Sequence, residues 1–252
     1  MRNKLLTGLI SLSLITLLYA CSTGYHPIKS NRNLYSISAQ IPVDSGIVNI
    51  YTPYKLTMDK EMSTVVAVST NALTKRSGLL ETNLGNFFAD ACLQQAKLLV
   101  PEIDFALPST FGGMRTDLPV GNITRSNIFE LMPFENQLVV IEIKGNDVLE
   151  MVKYILNTGA HPVSGIQIRY KDKQPTSITI NGMALQADKT YKVLTSDYIV
   201  GGGDGVKGLN NIISQKPVGL KVREALEKYV QQETAAGRPL NFKLDGRIKQ
   251  DE

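Results

Sequence analysis

One segment narrows the choice of fold more than any other. Leu84, Phe87, Phe88, Ala91, Gln95, Leu98 and Leu99 recur at helical spacing and place a mostly apolar face along a helix over 84–99. Asn83 or Thr82 can cap its start, and Pro101 follows its end. Ile103, Phe105 and Leu107 then alternate as a strand, and 108–121 is rich in turn residues. Leu138 to Ile143 reads as a strand, and Gly145-Asn146 opens a second helix with Val148, Leu149, Val152, Ile155 and Leu156 on one side. Beyond it the period changes. Ile166, Ile168 and Tyr170 alternate, Ser177 to Ile180 is extended, and Asn181-Gly182 predicts a tight hairpin turn. Tyr191, Val193 and Thr195 alternate before a glycine cluster at 201–205. Val222, Ala225, Leu226, Tyr229 and Val230 mark a last helix stopped by Gly237 and Pro239, with Phe242 and Leu244 in a short closing strand. Helices and hairpins without regular strand–helix alternation predict an α+β fold, layering mixed sheet and helices.

The N-terminal residues 1–20 read as a targeting signal. Arg2 and Lys4 precede an apolar run from Leu5 to Leu18, too short to span a bilayer comfortably. Leu-Tyr-Ala-Cys at 18–21 resembles the bacterial lipoprotein signal, in which the cysteine, here Cys21, becomes the lipidated N-terminus. Residues 21–53 are then the lipidated cysteine, a polar tether and an N-terminal extension with weak strand patterns near 35–41 and 47–51. The domain proper is expected over 54–248, opening with Val65, Val66 and Val68 as a buried strand. This predicts a cell-envelope protein held to the membrane by its lipid. Cys92 is the only other cysteine, expected as a small buried hydrophobe. Removing Arg2 and Lys4 takes the formal charge from +4 to +2, which gives no reason to expect nucleic acid as a partner.

Several strings, in order, resemble the C-terminal domain of the 5'-nucleotidases. Glu81-Thr-Asn-Leu-Gly-Asn-Phe-Phe-Ala-Asp-Ala91 is similar to that domain's opening motif. Gly112-Gly113-Met114-Arg115 with Gly121-Asn-Ile-Thr124, Pro133-Phe134-Glu135-Asn136, Ser164-Gly165-Ile166, Tyr198 with Gly202-Gly203-Asp204-Gly205, and Asp245-Gly246-Arg247-Ile248 follow at matching places. The resemblance covers about residues 54–248 and implies a domain that grips a nucleotide. In complete family members a metallophosphoesterase domain with two metal ions precedes it and performs the hydrolysis. His26 and His161 are the only histidines, and no Asp-x-His, Gly-Asn-His or Gly-His-x-His cluster occurs, so no catalytic residue, metal site or cofactor is expected in this chain.

The resemblance also implies roles. Phe134 and Tyr198 would sandwich the base by stacking, which any base with a π-face accepts. Arg115, presented by two glycines, would hold the phosphate with its planar fork. Asp204 would accept two ribose hydroxyls, or, as a turn residue, bond its own backbone. Asn136 would bond the base edge or cap a loop. The chain departs from the family in reading Ser109-Thr110-Phe111 where an Asn usually precedes the glycines. Lys75 and Arg76 lie near the place where some members carry arginines. Asn83, Asn86 and Asp90 read as structural: a cap and loop contacts. Gly203-x-Gly205-x-x-Gly208 matches a dinucleotide fingerprint, but no helix follows directly and Pro217 and Gly219 intervene, which argues against that site.

Three functions remain open on these residues. The first is a nucleotide-binding half-enzyme acting with a separately encoded metallophosphatase. The second is a solitary nucleotide- or nucleoside-binding lipoprotein. The third is a structural lipoprotein whose pocket is lost.

Overall fold

The computed structural model describes residues 29–38 and 41–252. The expectations for the signal segment, Cys21 and His26 lie outside the described residues. The described residues divide into two units, one ending at Ile50 and one spanning Tyr51–Glu252. In the first, residues 29–38 run exposed and without regular structure. Asp44 Oδ1 accepts the backbone N–H groups of Gly46 at 2.9 Å and Ile47 at 3.2 Å, and this cap starts helix α1 (Ser45–Met62). The strand expected at 47–51 is therefore a helix, and none forms over 35–38. Ile47 and Ile50 carry strand propensity, but the Asp44 cap starts a helix through them.

The second unit continues with β1 (Val65–Ser69), α2 (Asn83–Lys97), β2 (Phe105–Ala106), β3 (Gly121–Thr124), α3 (Arg125–Leu131), β4 (Gln137–Lys144) and α4 (Gly145–Thr158). Then come β5 (Ile166–Lys171), β6 (Gln174–Ile180), β7 (Met183–Ala184), β8 (Thr190–Ser196), α5 (Asp197–Val200), a 3-10 turn at Gly203–Gly205, β9 (Ser214–Lys221), α6 (Val222–Ala235) and β10 (Ile248–Gln250). The α+β expectation holds. Thr82 caps α2 through its hydroxyl, which accepts the N–H of Gly85 at 3.0 Å. Asn181 and Gly182 both take positive φ, as the tight hairpin between β6 and β7 requires. The closing strand falls at 248–250 rather than at Phe242 and Leu244, because Ile248 pairs in parallel with Ile168 on β5.

Among the described residues three sheets form, ordered β1-β3, β10-β5-β6-β7 and β2-β8-β4-β9. In the last, the inner strands β8 and β4 are buried on both faces, while alternate residues of the edge strand β9 stay exposed. Leu138 and Val140 face a core shared with Leu84, Phe87 and Phe88 of α2 and with Leu226 of α6. Val139, Ile141 and Ile143 face a second core with Val148 and Val152 of α4 and with Ile166, Ile168 and Ile178 of the other large sheet. Alternate residues of one strand thus serve two cores. Cys92 is fully buried in the first, and burial pushes its thiol well above the usual range.

The sequence missed β9, since Pro217 and Gly219 interrupt its pattern. It is an edge strand, where a missing N–H is tolerated, and Gly219 takes a φ of +79° beside an irregularity in the pairing with β4.

Candidate functional site

The register of β2-β8-β4-β9 brings distant loops together. β2 and β8 are parallel, with Phe105 opposite Val193, so the loop after β2 and the turn after β8 leave from the same end. β4 is antiparallel to β8, with Leu138 opposite Ser196, so the loop entering β4 lies there too. β9 is antiparallel to β4, with Gln137 opposite Lys221, and the start of α6 arrives at that end as well. Ligand-contacting loops commonly cluster at one end of a rigid sheet.

At this end lies a cleft of about 180 Å³ lined by Ser109, Gly112, Gly113, Arg115, Phe134, Asn136, Tyr198 and Asp204. All five binding candidates predicted from sequence meet in it. Phe134 and Tyr198 are 42% and 47% exposed, so neither ring belongs to a core. One face of Tyr198 is backed by Gly203: a Cβ there would fall 2.4 Å from Cε1 of the ring. The Tyr198 hydroxyl donates to Oδ1 of Asp204 at 3.0 Å, and the Thr110 hydroxyl donates to Oδ2 of the same carboxylate. The bond to Asp204 also holds the Tyr198 phenol above its usual pKa. Asp204 has a φ of +54°, flanked by Gly202 at +91° and Gly205 at +65°. Its backbone carbonyl accepts the Tyr154 hydroxyl at 3.0 Å. Each carboxylate oxygen keeps a further lone pair for a donor in the cleft.

Arg115 sits behind Gly112 and Gly113, and its exposed guanidinium donates to the carbonyl of Gly112 at 3.2 Å. Among the described residues no carboxylate pairs with it, so its fork is open to an anion. The Lys75 ammonium lies 4.1 Å from the centre of the Phe111 ring, and burial, then the nearby Arg115 charge, lowers its pKa. Lys75 and Arg76 line an adjoining hollow with Phe111 rather than the cleft itself. Asn136 is half-buried; its side chain lines the cleft and its carbonyl accepts the N–H of Val222 at 2.9 Å.

Beneath the cleft, His161 supports the loop of Phe111. Its Nδ1 accepts the Phe111 N–H at 3.2 Å and its Nε2 lies 2.8 Å from the Thr158 hydroxyl. Thr158 donates onward to the Tyr154 carbonyl at 2.6 Å, so the network assigns the ring proton to Nε2. Burial pushes the His161 pKa down to about 4, and the charge of Asp204 opposes this.

Sequence reasoning missed several supporting residues. Thr110, which is buried, orients Asp204. Asp197 joins two walls: its Oδ1 accepts the N–H of Gln137 at 3.0 Å and that of Tyr198 at 2.7 Å. Its place directly before Tyr198 was the available signal. Asn83, Asn86 and Asp90 do lie outside the cleft. Asn83 bonds the Thr74 N–H and the Ala72 carbonyl, Asn86 bonds Glu81, and Asp90 pairs with Arg247. Asn83 does not cap α2, as Thr82 holds that place. Among the described residues no group of three or more His, Cys, Asp or Glu is placed to hold a metal ion.

Residues 64–211 match the family model described as 5'-nucleotidase, C-terminal domain. A 5'-nucleotidase of Vibrio cholerae is 25% identical over 202 residues, which cover 77% of this chain and 35% of the relative. A cell wall protein of Listeria monocytogenes is 30% identical over 203 residues, covering 73% of this chain and 25% of the relative. The crystal structure of a 5'-nucleotidase precursor from Thermus thermophilus superposes with a TM-score of 0.69 at 25% identity, covering 83% of this chain and 44% of that one. The chain thus spans about a quarter to a third of the length of these two curated relatives.

Proposed function

This chain belongs to the 5'-nucleotidase C-terminal domain family, and from that membership we propose that its cleft grips a nucleotide for phosphate-ester hydrolysis carried out by a separately encoded metallophosphatase chain. The observation that carries the reading is the convergence of Arg115, Phe134, Asn136, Tyr198 and Asp204 on one cleft from separate segments. Phe134 and the open face of Tyr198 hold the base by stacking. Arg115 takes the phosphate through parallel N–H bonds. Asp204, already oriented by Thr110 and Tyr198, accepts sugar hydroxyls with its remaining lone pairs, and Asn136 bonds the base edge. The partner's metal ions would supply the Lewis acid and the activated water. Cys21 would tether the chain to the membrane at the cell envelope; a Cys21→Ser chain is expected in the soluble fraction, and one that stays with the membrane counts against the anchor.

Calorimetric titration with adenosine and AMP tests the reading, with Tyr198→Ala as the control. Saturable binding that the substitution abolishes supports it. A folded chain that gives no heat with either ligand points instead to a structural lipoprotein. Binding without co-purification of any metallophosphatase points to a solitary binding protein.

A further inference from the structure

Arg223 does not line the cleft, yet it holds one of its walls. It stands in the first turn of α6 and is only 8% exposed. A cation at a helix N-terminus opposes the helix dipole, and burial adds the cost of desolvation. The side-chain hydrogen bonds that compensate go to a single loop. Nη1 donates to the carbonyls of Met132 and Phe134, each at 3.2 Å, and Nη2 pairs with the Glu135 carboxylate. The guanidinium also lies 4.2 Å from the centre of the Phe129 ring. Both terminal nitrogens of Arg223 thus reach residues 132–135, the segment that presents Phe134.

The ends of that loop are held in other ways, Met132 by full burial and by its N–H to the Ile128 carbonyl at 3.0 Å and Asn136 by its bond with Val222, but the stretch between them is open. Pro133, Phe134 and Glu135 are all exposed, and Pro133 has no N–H to donate. Glu135 is drawn to the same place twice, by Arg223 and by Lys221, and the two cations hold its carboxyl down to about 2. A lysine at 223 would keep the charge but lose the planar fork and the stacking on Phe129.

We propose that Arg223 is a positioning residue for base recognition, clamping Met132–Glu135 so that the Phe134 ring stands in the cleft. The proposal rests on the nucleotide-binding reading above. The full chain and its Arg223→Lys variant would be titrated with AMP and with ribose 5-phosphate, which lacks a base, and the pair repeated in a Phe134→Ala background. Arg223→Lys is expected to weaken AMP about tenfold and to leave ribose 5-phosphate within about twofold, the difference being the stacking contribution. In the Phe134→Ala background the same change should cost AMP nothing further. Equal losses for both ligands, additive losses, or unchanged AMP binding each overturn the proposal. If Arg223→Lys does not fold, Glu135→Ala takes away one exposed acceptor of the clamp. It should weaken AMP about threefold and spare ribose 5-phosphate, and an unchanged AMP affinity overturns the proposal. A wild-type chain that binds no AMP overturns the nucleotide reading and this inference together, whereas AMP binding indifferent to both variants overturns this inference alone.

Discussion

Tyr198 and Asp204 are tied through a 3.0 Å hydrogen bond from the phenol to Oδ1, six residues apart across the glycine turn. The bond fixes an aromatic ring and a carboxylate relative to each other, with Thr110 holding the other oxygen. Tyr198→Phe keeps the ring and loses the tie, so AMP affinity should fall only about two- to fivefold, in line with one neutral-to-charged hydrogen bond partly replaced by water. Tyr198→Ala removes the stacking surface and should cost about tenfold or more, on the order of 1–3 kcal/mol. Titration of both variants checks the order; equal losses would mean that the hydroxyl, not the ring, carries recognition.

Gly203 lies against the same ring. A methyl at 203 would meet Cε1, Cζ and Cδ1 of Tyr198 at 2.4–2.6 Å. The ring is half exposed and can swing away, so Gly203→Ala should leave the melting temperature nearly unchanged while weakening AMP about as much as Tyr198→Ala. A large drop in stability with binding intact would show that the ring cannot move and that the strain spreads into the turn.

The sequence made the site more legible than the frame around it. Arg115, Phe134, Tyr198 and Asp204 stand in short strings with glycine or proline beside them, and such strings can be read locally. What joins them cannot. Arg223 meets Phe134 across 89 residues, and Thr110 meets Asp204 across 94, through a sheet register that no local pattern encodes. Strong periodicity placed α2 and α4 within about two residues. The failures have physical causes of the opposite kind. α1 has no buried residue, so its apolar positions carry no helical signal, and β9 tolerates Pro217 because it is an edge.

His161 makes stability depend on acidity. Its folded pKa of about 4 lies below the ordinary value of 6.5, so the unfolded chain binds the proton more readily. The stabilisation is therefore present above pH 6.5 and is lost as pH falls toward 4, by about 3 kcal/mol at the limit. Protonation at Nδ1 would also expel the Phe111 N–H, loosening the loop that carries Gly112 and Arg115. The carboxylates with lowered pKa, Glu102, Glu135, Asp245 and Glu233, begin to lose their contributions only as pH falls to about 4.5, which leaves about pH 5–6.5 to the histidine. Urea denaturation across that window should show a slope in the wild type that His161→Asn, which keeps an acceptor for Phe111, abolishes. An unchanged slope would assign the effect elsewhere.

Asp90 and Arg247 make the parallel two-bond pair that ties α2 to the closing segment, with Nη1 to Oδ1 at 2.7 Å and Nη2 to Oδ2 at 2.9 Å. Arg247 also donates to the Val163 carbonyl at 2.8 Å and to the Asp245 carboxylate at 2.7 Å. The Arg247 side chain is 12% exposed and that of Asp90 30%, whereas Asp245 is more than half exposed. Removing Asp90 leaves a largely shielded charge whose remaining carboxylate partner is exposed, so Asp90→Ala should cost about 2–3 kcal/mol, below the full range for a dry pair. Asp245→Ala should cost about 1 kcal/mol or less, since water replaces the exposed carboxylate. Denaturation midpoints give both values. AMP titration of Asp90→Ala then separates frame from site. The variant should bind within about twofold of wild type if folded, since cleft contacts distant from the change are expected to act independently. A folded Asp90→Ala chain with lost binding would move the strongest sequence motif from the frame into the site.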